Sequence, residues 1–297
     1  MRYHLIFVIL PVMALVFAGQ AFARQVKDQI GRSVTVPDRL QRVVALTPAL
    51  TEIVYDLGRE DLLVATTQFS DFPEGAKNLP RIGSYIQPDL EKLVALRPDL
   101  CLATKDGNPK DVVEKIMELG IPVFVVNPRD LAGVMATVTG LGEVLQAQDK
   151  AKAIVADMQR RLETVTGNIA KAKTRPGVFF QIDAAPMVSA GDQTFIDELI
   201  RLAGGRNLAA GPASYPRFNW EELLRLRPEV VIITSMAGGQ SVAELQASWR
   251  RWPDLPAVKN NLVAVVDANL FDRPTPRLID GLEVLTAILH PELFHVP

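Results

Sequence analysis

One fifteen-residue segment occurs twice in this chain, and it constrains the fold more than any other feature. Residues 90–104 read LEKLVALRPDLCLAT and residues 220–234 read WEELLRLRPEVVIIT. Six positions are identical: Glu91/Glu221, Leu93/Leu223, Leu96/Leu226, Arg97/Arg227, Pro98/Pro228 and Thr104/Thr234. In each copy a short amphipathic helix runs into Arg-Pro, where proline ends it by lacking an N–H and by restricting the residue before it. The apolar run that follows is short and does not alternate, the pattern of a strand buried on both faces of a parallel sheet. A duplicated helix–Pro–strand unit predicts two similar α/β lobes.

The rest of the chain fits that plan. RVVAL at 42–46 reads as a strand, followed by a helix that starts at Thr47-Pro48 and stops at Gly58. LLVAT at 62–66 and PVFVV at 122–126 read as further strands, with a helix over 111–119 between them. From 149 to 173 there is no proline, and Ile154, Met158, Leu162, Val165 and Ile169 recur at helical spacing. That predicts one helix about 37 Å long with a single apolar stripe. The pattern restarts with the strand GVFFQI at 177–182 and an N-capped helix over 194–202, closed by Gly204-Gly205. The expected organisation is a first lobe at 24–148, a connecting helix at 149–173 and a second lobe at 174–297.

The N-terminus carries Arg2, an apolar run and Ala21-Phe22-Ala23. This is the layout of a secretory signal over 1–23, cut after Ala23, which would place the mature chain outside the cytoplasm. Cutting there removes one arginine and no acid and leaves 31 basic against 34 acidic residues, dispersed rather than clustered. Such a balance offers no stripe for nucleic acid. Cys101, the sole cysteine, lies in an apolar strand, where a buried, inert thiol is expected. Outside the leader, the only histidines are His290 and His295, at the extreme C-terminus. No metal-ligand spacing, Ser/His or Cys/His pair, GxGxxG or P-loop is present, so the sequence gives an enzyme little to work with.

In RVVALTPALTEIVYDLG (42–58), SDFPEGAKNLPRIGSYIQPDLEKLVALRPDLCLAT (70–104), the VFFQI strand and LFDRPTPRLIDGL (270–282), the chain resembles a known class. These are the periplasmic substrate-binding proteins of vitamin B12, ferric siderophore and haem ABC importers, and the likeness is greatest to the cobalamin binders. The resemblance implies two α/β lobes with parallel sheets, joined by one long helix, and a ligand held between them. It also implies a monomer that delivers its ligand to an inner-membrane permease. Members of the class present one glutamate per lobe to the permease, and the matching positions here are Glu91 and Glu221. The resemblance and the connecting helix together imply small lobe movements rather than wide closure.

In open α/β sheets ligands bind beyond the carboxyl ends of the strands. The candidate loops are therefore 47–50, 68–72, 83–85 and 105–108 in the first lobe. In the second they are 183–187, 215–218, 235–239 and 269–273. Aromatic rings in these loops, Phe69, Tyr85, Tyr215, Phe218 and Phe271, could wall a large flat ligand. Arg217 and Arg273 could meet an anionic group, or could form structural salt bridges. Trp220, Trp249 and Trp252 read as packing residues. Cobalamin binders place several tryptophans in the cleft, whereas the matching positions here are Tyr85, Thr104 and Tyr215. No resident cofactor is expected. A corrinoid is the expected ligand, with haem (held by Tyr85 or Tyr215) or a ferric siderophore as the alternative, and an exported hydrolase or sensor as the reading from another class.

Overall fold

The computed structural model describes residues 23–234 and 241–293. The leader through residue 22, the loop at 235–239 and His295 lie outside the described residues. The chain begins with an antiparallel hairpin of β1 (Ala23–Lys27) and β2 (Ser33–Pro37). There follow β3 (Val43–Ala45), α1 (Pro48–Asp56), β4 (Leu63–Thr66), α2 (Leu90–Ala95), β5 (Leu100–Thr104), α3 (Lys110–Glu118) and β6 (Val123–Val126). Two helices then run back to back, α4 (Leu131–Val144) and α5 (Gln148–Ile169). The second half contains β7 (Gly177–Gln181), β8 (Asp183–Ala184), β9 (Met187–Val188), α6 (Phe195–Leu202), β10 (Arg206–Asn207), β11 (Arg217–Phe218) and α7 (Trp220–Leu226). It closes with β12 (Val230–Thr234), α8 (Val242–Arg250), α9 (Pro256–Lys259), β13 (Val263–Val266) and α10 (Leu278–Leu289).

Two four-stranded sheets result, ordered β4-β3-β5-β6 and β10-β7-β12-β13, and every pairing within them is parallel. The repeated strands β5 and β12 take the same third place in the two sheets, and each is buried along its whole length. The repeated helices start alike, with Asp89 and Asn219 accepting from the backbone N–H three residues on. They also stop alike. Arg97 and Arg227 turn left-handed, at φ 46° and 48°, and the proline behind each prevents further helix. The chain is thus a mixed α/β protein of two lobes with flanking helices.

The expected connecting helix exists as α5, but it ends at Ile169 rather than running to Lys173, and so spans about 33 Å. Ile169 is the last apolar residue of its stripe. Beyond it the backbone tightens to bonds from Lys171 N–H to Asn168 and from Ala172 N–H to Ile169. Its neighbour α4 was not legible, because LAGVMATVTGLGEV is rich in glycine and threonine, which are weak helix formers. The glycines allow close approach: a Cβ on Gly142 would lie 2.4 Å from that of Ala151 on α5. Leu131 and Val134 of α4 pack in the second lobe's core with Leu199 and Phe180, while Val138 and Leu141 pack in the first lobe's core with Phe124. The same holds for α5, which gives Ala151 to the first core and Met158, Val165 and Ile169 to the second. Two helices, not one, therefore cement the lobes. Among the described residues no helix is long and apolar enough to cross a membrane.

Candidate functional site

The loops after the parallel strands of the first lobe are held by buried polar contacts. Thr51, Thr66, Thr67 and Ser70 form a hydroxyl cluster, with Oγ–Oγ distances of 2.5 Å (Thr51–Thr66) and 2.7 Å (Thr66–Ser70). Arg81 adds bonds to the carbonyls of Thr67 and Ser70, both 2.8 Å. Phe69 projects from this anchored turn, 46 % exposed, with its ring edge-on to Tyr85 at 5.8 Å between centroids. Tyr85 is fixed in turn by Asn108, a buried residue that joins three loops. Its Nδ2 donates to the carbonyls of Leu46 (3.0 Å) and Tyr85 (2.8 Å), and its Oδ1 accepts from Thr104 N–H (2.9 Å). Gly107 makes this turn possible, since a Cβ there would lie 2.4 Å from Thr104 Oγ1. Ile86, 56 % exposed, extends the apolar surface past Tyr85.

On the second lobe Tyr215 is 56 % exposed, in a segment bonded through Pro216 O to Ser189 N–H and through Ser214 O to Gly191 N–H. Partial desolvation raises the pKa of its phenol, and the charges of Asp106 and Asp272 raise it further. Asp106 belongs to the first lobe and Asp272 to the second, so Tyr215 stands where the two lobes face each other. The Asp272 carboxyl is pushed up to about 7, chiefly by burial; Arg273 pulls it down and Asp267 pushes it up. Phe69 and Tyr215 are thus exposed rings on different lobes, and the carboxylates of Asp106 and Asp272 act on Tyr215.

The expected wall and anion-binding residues divide into two groups. Phe69 and Tyr215 are exposed, and Tyr85 is half-buried against Phe69. Arg217 is exposed on β11 and forms no ion pair with another described residue. Phe218, on the same short strand, turns the other way and packs edge-on against Phe179 at 5.3 Å, as alternation along a strand requires. Phe271 is a correction: it is fully buried in the second lobe's core, 5.5 Å from Phe180, and forms no wall. Arg273, expected either to meet a ligand's anion or to form a structural salt bridge, forms the salt bridge. Its guanidinium crosses to the first lobe, where it meets Glu52 and Asp71, each at 2.7 Å, and is not free for a ligand's anion. Burial opposes its charge, yet those two carboxylates hold its pKa above the ordinary value. Burial wins at Glu52, whose pKa is raised despite Arg273 and Arg277. The tryptophans pack as expected: Trp220 lies 5.1 Å from Trp249 and 6.0 Å from Trp252.

Glu91 and Glu221 both lie exposed on the first turn of α2 and α7. Glu221 is paired with Arg225 one turn on. Sequence reasoning missed Asn108, Asp272 and Glu52. The last had a signal: a carboxylate within ALTEIV, five of whose six residues are otherwise apolar or small, cannot be buried without a cation to meet it. Among the described residues no group of three His, Cys, Asp or Glu side chains could hold a metal ion.

Residues 43–270 match the family described as periplasmic binding protein. The vitamin B12-binding protein of Vibrio vulnificus is 30 % identical over 247 residues, covering 82 % of this chain and 88 % of that protein. Among solved structures, the periplasmic vitamin B12 binding protein of Vibrio cholerae is similar with a TM-score of 0.76 and 27 % identity, covering 85 % of this chain and 97 % of the other. A periplasmic heme-binding protein from Pseudomonas aeruginosa is similar with a TM-score of 0.77 and 29 % identity, covering 85 % and 94 %.

Proposed function

Because the chain belongs to the periplasmic binding protein family, a family of carriers rather than enzymes, we propose that it captures a corrinoid between its lobes and delivers it to an ABC importer. The observation that carries this reading is the likeness to vitamin B12-binding proteins along 82 % of the chain. The exposed rings of Phe69 and Tyr215, one on each lobe, with Tyr85 half-buried beside Phe69, support it, since a corrin is a broad amphipathic disc that rings can cover from both sides. The acidic edge at Asp106 and Asp272 suits the amide N–H groups around a corrin better than the carboxylates of haem.

Haem or a ferric siderophore is the second reading, favoured by the likeness to a heme-binding structure and by two tyrosines able to serve as axial ligands. Calorimetric titration of residues 24–297 with cyanocobalamin, cobinamide, haem and ferric siderophores decides between them. Tight binding of cyanocobalamin with none of haem is the expected result; the reverse order overturns the corrinoid reading.

Glu91 and Glu221 are the proposed contacts to the permease. Two exposed carboxylates at equivalent places in duplicated lobes suit a two-lobed partner carrying basic pockets. In this reading residues 1–23 are the export signal, residues 24–148 and 174–297 are the two working halves, and the mature carrier is a monomer in the periplasm.

A further inference from the structure

Arg273 sits at a junction the binding reading does not explain. The segment that carries it is rooted in the second lobe, where Phe271 fills the core and Gly281 passes so close that a Cβ would lie 2.7 Å from Leu270 O. From there the guanidinium reaches three acceptors on two separate segments of the first lobe. Nη1 donates to Glu52 on α1, and Nη2 donates to Asp71 and, at 3.3 Å, to the carbonyl of Phe69. Glu52 keeps 1 % of its side-chain surface and Arg273 keeps 13 %, so the pair is shielded from water. One turn on, Arg277 repeats the reach: it lies 3.4 Å from Glu52, with its guanidinium 4.0 Å from the centroid of Phe72.

We propose that Arg273 is a positioning residue for the cleft: from the second lobe it holds the first lobe's 69–72 loop and sets the separation of the aromatic walls before a ligand arrives. The chain of contacts is continuous, from Arg273 to the Phe69 carbonyl, from the Phe69 ring to Tyr85, and from Tyr85 to Asn108. Widening the cleft would break the bonds from Arg273 to Glu52, Asp71 and the Phe69 carbonyl together, and would take from Glu52, on α1, its nearest cation. A planar fork with several N–H groups can serve three acceptors at once, which a lysine ammonium on the same stem could not do in this geometry. The pair thus specifies an arrangement: Glu52's raised pKa shows that burial takes back much of what the attraction supplies. The inference rests on the cleft being the binding site, but not on which ligand fills it.

The test uses the ligand-free mature chain with spin labels at Glu118→Cys on the first lobe and Ala247→Cys on the second, both exposed positions. Cys101 is buried, with its thiol pushed up to about 12, and stays unlabelled in the folded protein. Electron–electron distance measurement should give a narrow distribution in the parent and a broadened one in Arg273→Gln and Arg273→Lys. Affinity for cyanocobalamin should fall about 10–100-fold, the usual range of conformational coupling. Asp71→Asn, which removes only the exposed arm of the grip, should broaden the distribution less, and it serves as the test if the arginine variants do not fold. An unchanged distribution overturns the inference, as does a broadened one with affinity intact. If the parent binds neither cyanocobalamin nor haem, the ligand reading fails while the distances still decide the role of Arg273.

Discussion

Replacing Asn108 by alanine should cut three loops of the first lobe loose at once. The side chain is 5 % exposed, and its amide is the common partner of Leu46 O, Tyr85 O and Thr104 N–H. Each such bond contributes about 0.5–1.5 kcal/mol net, and more when its loss leaves a buried group unsatisfied, so the variant should lose about 2–4 kcal/mol. Asn108→Asp keeps the bond from Thr104 but turns a carboxylate toward two carbonyl oxygens, and it should be at least as damaging. Urea unfolding should be followed by far-ultraviolet circular dichroism and by tryptophan fluorescence together. All three tryptophans lie between residues 220 and 252, so fluorescence reports on the second lobe alone. With α4 and α5 shared between the cores, both signals should shift by the same amount although Asn108 is in the first lobe. Ligand affinity should also fall, about tenfold for each 1.4 kcal/mol by which the Tyr85 wall is loosened. A stability loss under about 1 kcal/mol, with binding unchanged, would refute the reasoning that this amide supports the cleft.

Phe271→Ala, by contrast, should act on the core: a loss of about 3–5 kcal/mol in denaturant unfolding with any surviving folded protein still binding ligand. The Asp272 carboxyl is raised from 3.8 to about 7, so the folded state holds its proton more tightly than the unfolded chain. Its contribution to stability is therefore full below about pH 4 and is lost as pH rises toward 7. Asp272→Asn should match the parent in melting temperature near pH 4 and exceed it near pH 7.5; a constant difference across that range would contradict the assignment. Charge reversal at both Glu91 and Glu221 should abolish stimulation of the reconstituted importer while calorimetric ligand affinity stays as in the parent. Loss of that affinity, or undiminished transport, would count against the docking role.

The repeat at 90–104 and 220–234 carried most of the architecture, because proline position and apolar run length are local properties that tertiary context does not override. The cap at Thr194 and the stop at Gly58 were readable for the same reason. What escaped the sequence depends on contacts between distant residues. Helix α4 draws its stability from two cores rather than from propensity. Phe271 and Phe69 are alike as loop phenylalanines in sequence; only the packing separates a core residue from an exposed wall. The role of Arg273 stayed open between anion contact and salt bridge because its partners lie some 200 residues away, at Asp71 and Glu52.

The placement of α4 bears on how such a chain can be taken apart or recombined. Its first turn belongs to one core and its later turns to the other, and its N-terminal Leu131 N–H is bonded to Glu198 on α6. A fragment ending near residue 148 would leave Leu131 and Val134 as an uncovered apolar strip, and the complementary fragment would lack a segment of its own core. Chimaeras that graft a foreign binding half onto this scaffold should therefore carry α4 and α5 across as one block, with crossover points just before Leu131 and just after Ile169.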